Sequence, residues 1–259
     1  MTMAILTAMS DAARRAEFER LSQMPRYTPT TTMLLGVPVE IVDATSFLWT
    51  LPDIFDRGML RFRASSSTPL IIDGGANIGL ATLFFKRLYP QSRMIVFEPD
   101  AAIFSVLCRN LLTWGYPDVV CHCAGLSAAD GVAAFKSEGA DSGRIVDQTK
   151  TDGTTRIRTV RLSSFLTEPV DMLKLDIEGA EVDVLEECVN RLHLVRQLYI
   201  SYHSFKQQPQ RLDAVIGCLG RAGFRVYPDD RKVDSPLIAR HEYRDIESMT
   251  GLFGFRPSR

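Results

Sequence analysis

LIIDGGANIGLATLFF, residues 70–85, runs from an apolar segment through an aspartate into two glycines, an asparagine and a third glycine, then out into a helical pattern. A strand-to-helix turn of this kind allows close approach. Gly75 and Gly79 remove side chains where backbone meets a ligand, and Asn77 tolerates a left-handed φ between them. Backbone N–H groups at the helix start are expected to be free for polar atoms. A dinucleotide fingerprint, G-x-G-x-x-G, fails because Ala76 or Asn77 falls where the second glycine belongs. A phosphate-cradling P-loop fails because the helix opens Gly79-Leu80-Ala81 instead of Gly-Lys-Ser/Thr. The remaining form is D-x-G-x-N-x-G, whose leading Asp73 would repel a phosphate but attract a cationic amino-acid end.

The next strand-like run, MIVFE, ends in Glu98, 25 positions after Asp73, and is followed by Pro99-Asp100. A carboxylate at that strand tip can accept both ribose hydroxyls of a nucleoside. Ribose recognition suits NAD and S-adenosylmethionine alike, and Asp73 with the glycine spacing favours the second.

Working outward, apolar strand-like runs at 70–73, 94–98, 119–123, 172–176, 195–203 and 224–227 are separated by helical patterns at 79–89, 101–113, 179–192 and 208–221. Such alternation predicts right-handed βαβ units and a doubly wound, mostly parallel α/β sheet. A last strand, GLFGFRP, makes seven and is expected to be antiparallel at one edge. Within this plan, DGVAAF (130–135) and TRIRTV (155–160) flank a polar, Gly-rich stretch and predict a β-hairpin insertion whose tip covers the cleft. Residues 63–259 are thus expected to form the ligand-binding domain. Residues 1–62 form an extension: a capped helix over 10–23, serving as a lid or a homodimer contact, then two apolar runs and a strand-like GMLRFR.

With 259 residues, 46% of them hydrophobic, the chain is long enough for one large domain. Thirty basic against 31 acidic residues leave a net charge of −1, so no overall field draws it to nucleic acid or to an anionic membrane. No apolar stretch reaches the roughly 18 residues of a bilayer span. A cytoplasmic protein is expected. The five cysteines, Cys108, Cys121, Cys123, Cys188 and Cys218, are an odd, scattered set that reads as reduced core thiols. The CHC at 121–123 has no second cluster at metal-ligand spacing, so no metal is assigned there.

Taken together, IIDGGANIGLATLFFKRLYP, VFEPD with the following FSVLCRNL, and MLKLDIEGAEVDVLEE resemble the FkbM-type S-adenosylmethionine-dependent methyltransferases, in order over about residues 40–255. The resemblance implies a class I methyltransferase fold and transfer of a methyl group from S-adenosylmethionine, usually to an oxygen of a sugar or secondary metabolite. It further implies that Asp73, Gly75, Asn77 and Gly79 wrap the methionine part of the cofactor, that Glu98 holds the ribose, and that the adenine lies by Ala124-Gly125-Leu126. Where the family commonly ends its fifth strand Glu-Ile-His, this chain has Ser201-Tyr-His203.

Methyl transfer is an in-line displacement, so the protein must align two reactants and take up a proton. Groups at the carboxyl ends of the fourth and fifth strands flank the reacting methyl, which selects Asp176, Glu178 and His203. His203, with an ordinary pKa of about 6.5, is the candidate general base, oriented by Asp176. Lys174, Asp176 and Glu178 alternate onto one side of their strand, and a buried Lys174 ion pair, with Glu178 capping or charging the start of the helix that opens at Gly179, is the plainer alternative. Asp176, Glu178 and His203 could also hold a divalent ion, the less favoured reading. Phe47, Trp49 and Phe55 are candidates for the wall of a small-molecule acceptor pocket. His122, His193 and His241 are less well placed. N-methylation, a nicotinamide-dependent oxidoreductase and a non-catalytic cofactor-binding protein remain as competing functions.

Overall fold

The computed structural model describes residues 9–146, 152–206, 208–229 and 246–257. The expected α/β alternation is present. In chain order the elements are α1 (Asp11–Ser22), β1 (Thr30–Thr32), β2 (Val39–Ile41), α2 (Ala44–Leu51), β3 (Leu70–Gly74), α3 (Leu80–Leu88), β4 (Arg93–Phe97), α4 (Ala101–Thr113) and β5 (Val120–His122). There follow β6 (Gly125–Leu126), β7 (Gly131–Lys136), β8 (Arg144–Val146), β9 (Thr155–Val160), β10 (Val170–Leu175), α5 (Glu181–Cys188), β11 (Val195–Phe205), α6 (Leu212–Arg221), β12 (Arg225–Pro228) and β13 (Ile246–Phe255).

The main sheet has the order β12-β13-β11-β10-β3-β4-β5. Its neighbours from β11 to β5 pair in parallel, whereas β13 runs antiparallel between β11 and β12. Side-chain alternation along each strand divides the core between the two faces. Ile71, Met94, Val96 and Met172 join one cluster with α3 and α4, while Leu70, Ile72, Phe97, Leu173 and Leu175 join the other with α5 and α6. Strands buried on both faces explain the near-continuous apolar runs of the sequence.

Leu21, Ile41, Phe47 and Leu60 belong to the same cluster as Ile71 and Phe84. The N-terminal extension therefore completes one face of the sheet. Its helix is capped by Ser10, whose Oγ accepts the N–H of Ala13 at 3.3 Å. The expected strand GMLRFR is a turn and irregular chain, and SFLWTL is helical. Asp43 caps α2 by accepting the N–H of Ser46, and Pro52 diverts the helix into a π-helical turn, Pro52–Asp56.

The hairpin insertion is larger than expected. β7 and β9 pair antiparallel as the sequence indicates, and β6 and β8 extend them to a second sheet, β6-β9-β7-β8. Part of its tip, residues 147–151, lies outside the described residues, as do His241 and most of the polar connection 228–249. The helix expected over 179–192 begins at Glu181 and tightens into a 3₁₀ helix from Val189; that expected from 208 begins at Leu212. Among the described residues no helix is long and apolar enough to cross a membrane.

Candidate active site

The winding of the sheet reverses between β3 and β10, and a cleft of about 1140 Å³, open to solvent, lies beyond the carboxyl ends of these strands. The loop after β3 forms its floor with Gly75, Ala76, Asn77 and Ile78, and Glu98, Leu126, Asp176 and Glu178 also line it. Gly75, Asn77 and Gly79 all take positive φ, at 77°, 50° and 96°. A Cβ on Gly75 would stand 1.9 Å from the backbone oxygen of Asp176, and one on Gly79 would stand 2.8 Å from a methyl of Leu107 on α4. The glycines therefore answer to backbone and helix packing more than to ligand approach, and Gly79 lies outside the cleft lining.

The N–H groups of the loop ahead of α3 are committed. Those of Gly75 and Ala76 donate to Phe97 O, that of Asn77 to Glu98 Oε2 at 3.0 Å, that of Ile78 to Asn77 Oδ1, and that of Gly79 to Ala76 O. Glu98 Oε1 accepts the N–H of Asp100. These bonds aim the Glu98 carboxylate into the cleft, where burial pushes its pKa up to about 7 against the lowering effect of the two N–H groups.

Asp73 is fully buried beneath the loop and does not line the cleft. Its Oδ2 accepts the Thr82 hydroxyl at 3.0 Å. Lys174, its register partner on β10, places Nζ 3.1 Å from Asp73 Oδ1, close enough to neutralise it although the angle is poor for a hydrogen bond. The same Nζ donates to Gly75 O at 2.9 Å and lies 3.7 Å from Asp176 Oδ2. Lys174 thus serves Asp73 and Asp176, not Glu178. The cationic partner expected for Asp73 is supplied by the protein.

Glu178 pairs with His203 instead. It follows β10 on a turn where its own φ is 55° and that of Gly179 is 101°, and it lines the cleft together with Lys174 and Asp176. His203 Nε2 lies 3.3 Å from Glu178 Oε1 and 3.9 Å from Asp176 Oδ1, while Nδ1 lies 3.1 Å from Glu181 Oε1. Asp176 is therefore not the group that orients the ring. Burial lowers the proton affinity of His203, but the charge of Glu178, the hydrogen bond from Glu181 and the charge of Asp176 outweigh it and raise the pKa well above the ordinary imidazole value. Burial raises that of Glu178. His203 itself is almost fully buried, one side chain behind the cleft. One ligand-type atom each from Asp176, Glu178 and His203 lies within 4.8 Å of the others.

The opposite wall comes from α2 and from the segment after β7. Ser46, Phe47 and Thr50 line it together with Glu138, Ala140 and Asp141. Asn77 Nδ2 donates to Ala140 O at 2.8 Å, tying that segment to the loop. Burial raises the pKa of Asp141. Of the three aromatic candidates only Phe47 lines the cleft; Phe55 packs edge-on against Phe84 and Trp49 is 64% exposed. Sequence reasoning missed Asp141 and Glu181. Asp141 sits in a polar stretch without pattern, and Glu181 carries only the weak signal of an acidic residue in a helix's first turn.

A sheet wound in this order, with a glycine loop after its first strand and an acidic tip on the second, is the frame of a class I methyltransferase. The sequence model described as Methyltransferase FkbM domain matches residues 73–226, and the chain belongs to that family. It is similar to Methyltransferase 1 of Beauveria bassiana, 34% identical over 140 residues, 44% of this chain and 56% of that protein. Methyltransferase sdnD of Sordaria araneosa is 31% identical over 160 residues, 46% of this chain and 60% of that protein. The matches thus span a little over half the length of these relatives. Among solved structures, a Methyltransferase FkbM from Methylobacillus flagellatus superposes with a TM-score of 0.52 at 17% identity, over 93% of this chain and 59% of that one. M. jannaschii TYW2, solved in complex with AdoMet, gives 0.50 at 12% identity, over 90% and 89%. At such identities the likeness is one of fold.

Proposed function

We propose that the protein transfers the methyl group of S-adenosylmethionine to a hydroxyl oxygen of a small molecule, a secondary metabolite or a sugar. The observation that carries this reading is the opening of Glu98 and of Asp176 and Glu178, with His203 directly behind them, onto one cleft, on either side of the loop after β3. Glu98 accepts the ribose hydroxyls, and the adenine lies against Leu126 and the residues before it. The reacting methyl then points towards Asp176 and Glu178. The acceptor's oxygen forms the new C–O bond as the S–CH₃ bond breaks, its electron pair leaving on sulfur as a neutral thioether.

The hydroxyl proton passes through the cleft-lining carboxylates to His203 Nε2. Three carboxylates surround the ring and favour a proton on that nitrogen in the free protein. A sulfonium placed beside the same carboxylates opposes the imidazolium charge, so cofactor binding frees His203 to act as the base. Its charge also suits a cleft whose lining is rich in carboxylates. The family membership and the AdoMet complex of a protein of the same fold support the choice of cofactor.

Calorimetric titration with S-adenosylmethionine and, separately, with NADH tests the reading, repeated with Glu98→Ala. Binding of S-adenosylmethionine that is lost in the variant supports it. Binding of NADH alone would replace it with an oxidoreductase.

A further inference from the structure

Glu181, like Asp73, has a relative exposure of 0% and does not line the cleft. Its position is nevertheless the centre of a small hydrogen-bond system. Oε1 accepts the N–H of Ile177 at 3.2 Å and lies 3.1 Å from His203 Nδ1, and Oε2 accepts the N–H of Gly179 at 3.0 Å. The bonds to Ile177 and Gly179 clamp the turn on either side of Glu178, the non-glycine residue at φ 55°, at the peptide that enters Ile177 and at the one that leaves Glu178. The bond to His203 fixes the ring so that Nε2, and not Nδ1, faces Glu178 and Asp176.

We propose that Glu181 is a positioning residue for the transfer reaction: one buried carboxylate holds both the left-handed turn that presents Glu178 and the imidazole that receives the proton. The inference rests on the base reading of His203 given above. Two physical reasons single out a carboxylate. A left-handed conformation strains any residue with a Cβ and persists only where the surroundings over-determine it. An imidazole whose Nδ1–H is held by a carboxylate keeps the other nitrogen as the one that exchanges protons, as in hydrolase triads. Alanine supplies neither function. Glutamine keeps one acceptor oxygen but loses the charge and the second acceptor. The charged groups facing the ring are Glu178, Glu181 and Asp176, with Lys174 behind Asp176.

The experiment uses the full chain labelled with ¹⁵N-histidine, as wild type, Glu181→Gln and Glu181→Ala, with His203→Gln to assign the His203 signals. In the wild type the ring should lose its Nε2 proton first and keep Nδ1–H into the alkaline range. Glu181→Gln should retain Nδ1–H but titrate lower by about 1 unit or more. Glu181→Ala should lose the Nδ1–H preference. In both variants the dissociation constant for S-adenosylmethionine, read by calorimetry, should stay within about threefold of the wild type, because Glu181 does not touch the cleft. If Glu181→Ala does not fold, the isosteric Glu181→Gln still decides the matter. Unchanged His203 titration in Glu181→Gln, with only a lower melting temperature, would reduce Glu181 to a structural role and overturn the proposal. Failure of the wild type to bind S-adenosylmethionine would instead remove the proposed function while leaving the His203 spectra to report on Glu181.

Discussion

Gly75 passes so close beneath Asp176 that a Cβ on the glycine would stand 1.9 Å from the aspartate's carbonyl oxygen. This contact joins the loop after β3 to the end of β10, and it couples the two halves of the cleft. The obstacle is backbone, which cannot rotate away, and the φ of 77° adds strain for any L side chain. Gly75→Ala should therefore destabilise the fold by about 2–4 kcal/mol and displace Asp176. Urea denaturation of the variant measures the first effect; a midpoint equal to that of the wild type would contradict the geometry.

Glu98 couples cofactor binding to pH. Its pKa in the folded protein, about 7, lies above the ordinary 4.5 because the carboxyl is buried. The sign follows: the folded state binds the extra proton, so this group's stabilising contribution is complete below about pH 4.5 and is lost as pH rises through 7. Ribose hydroxyls donate best to the ionised form. Affinity for S-adenosylmethionine should rise with pH, up to about tenfold per unit below 7, and level off above it. Glu98→Gln should remove the slope and weaken binding at pH 8 by ~10–100-fold. Calorimetry between pH 5.5 and 8.5 checks both.

Lys174 neutralises Asp73 where both side chains are buried. Lys174→Met leaves a buried carboxylate without its cation and should cost about 3–5 kcal/mol, whereas adding Asp73→Asn should restore most of the loss. Thermal unfolding of both variants tests this; equal losses in the single and double variants would show that the pair is not the cause.

For His203, substitution by alanine should leave S-adenosylmethionine affinity within severalfold and slow methyl transfer by ~10²-fold or more. Transfer should also survive exhaustive chelation. Activity that disappears with chelator and returns with a divalent ion would assign Asp176, Glu178 and His203 to a metal.

The strand and helix order was legible because each element carries its own signature: short continuous apolar runs for the buried strands, a period of 3.6 for helices such as α3 and α4. The turn from Asp73 to Gly79 was legible for a similar reason, since positive φ at residues 75, 77 and 79 demands glycine or asparagine locally. The segment 33–62 was misread where apolar runs were short, a length at which strand and helix periods look alike. Asp43 and Pro52, a cap and a helix-diverting residue, held the missing signal.

The sequence by itself determined what depends on neighbours along the chain: a parallel α/β sheet, its glycine turn, and carboxylates at the tips of successive strands. Only the tertiary structure decided which charge meets which. Asp73 and Lys174 are 101 positions apart and become partners through the β3–β10 register. Glu178 and His203 meet because β10 and β11 pair side by side, and Glu181 reaches the turn and the ring from the helix that follows. Ion pairing acts over a few ångströms in space and is indifferent to separation along the chain, so no periodicity could have announced these contacts.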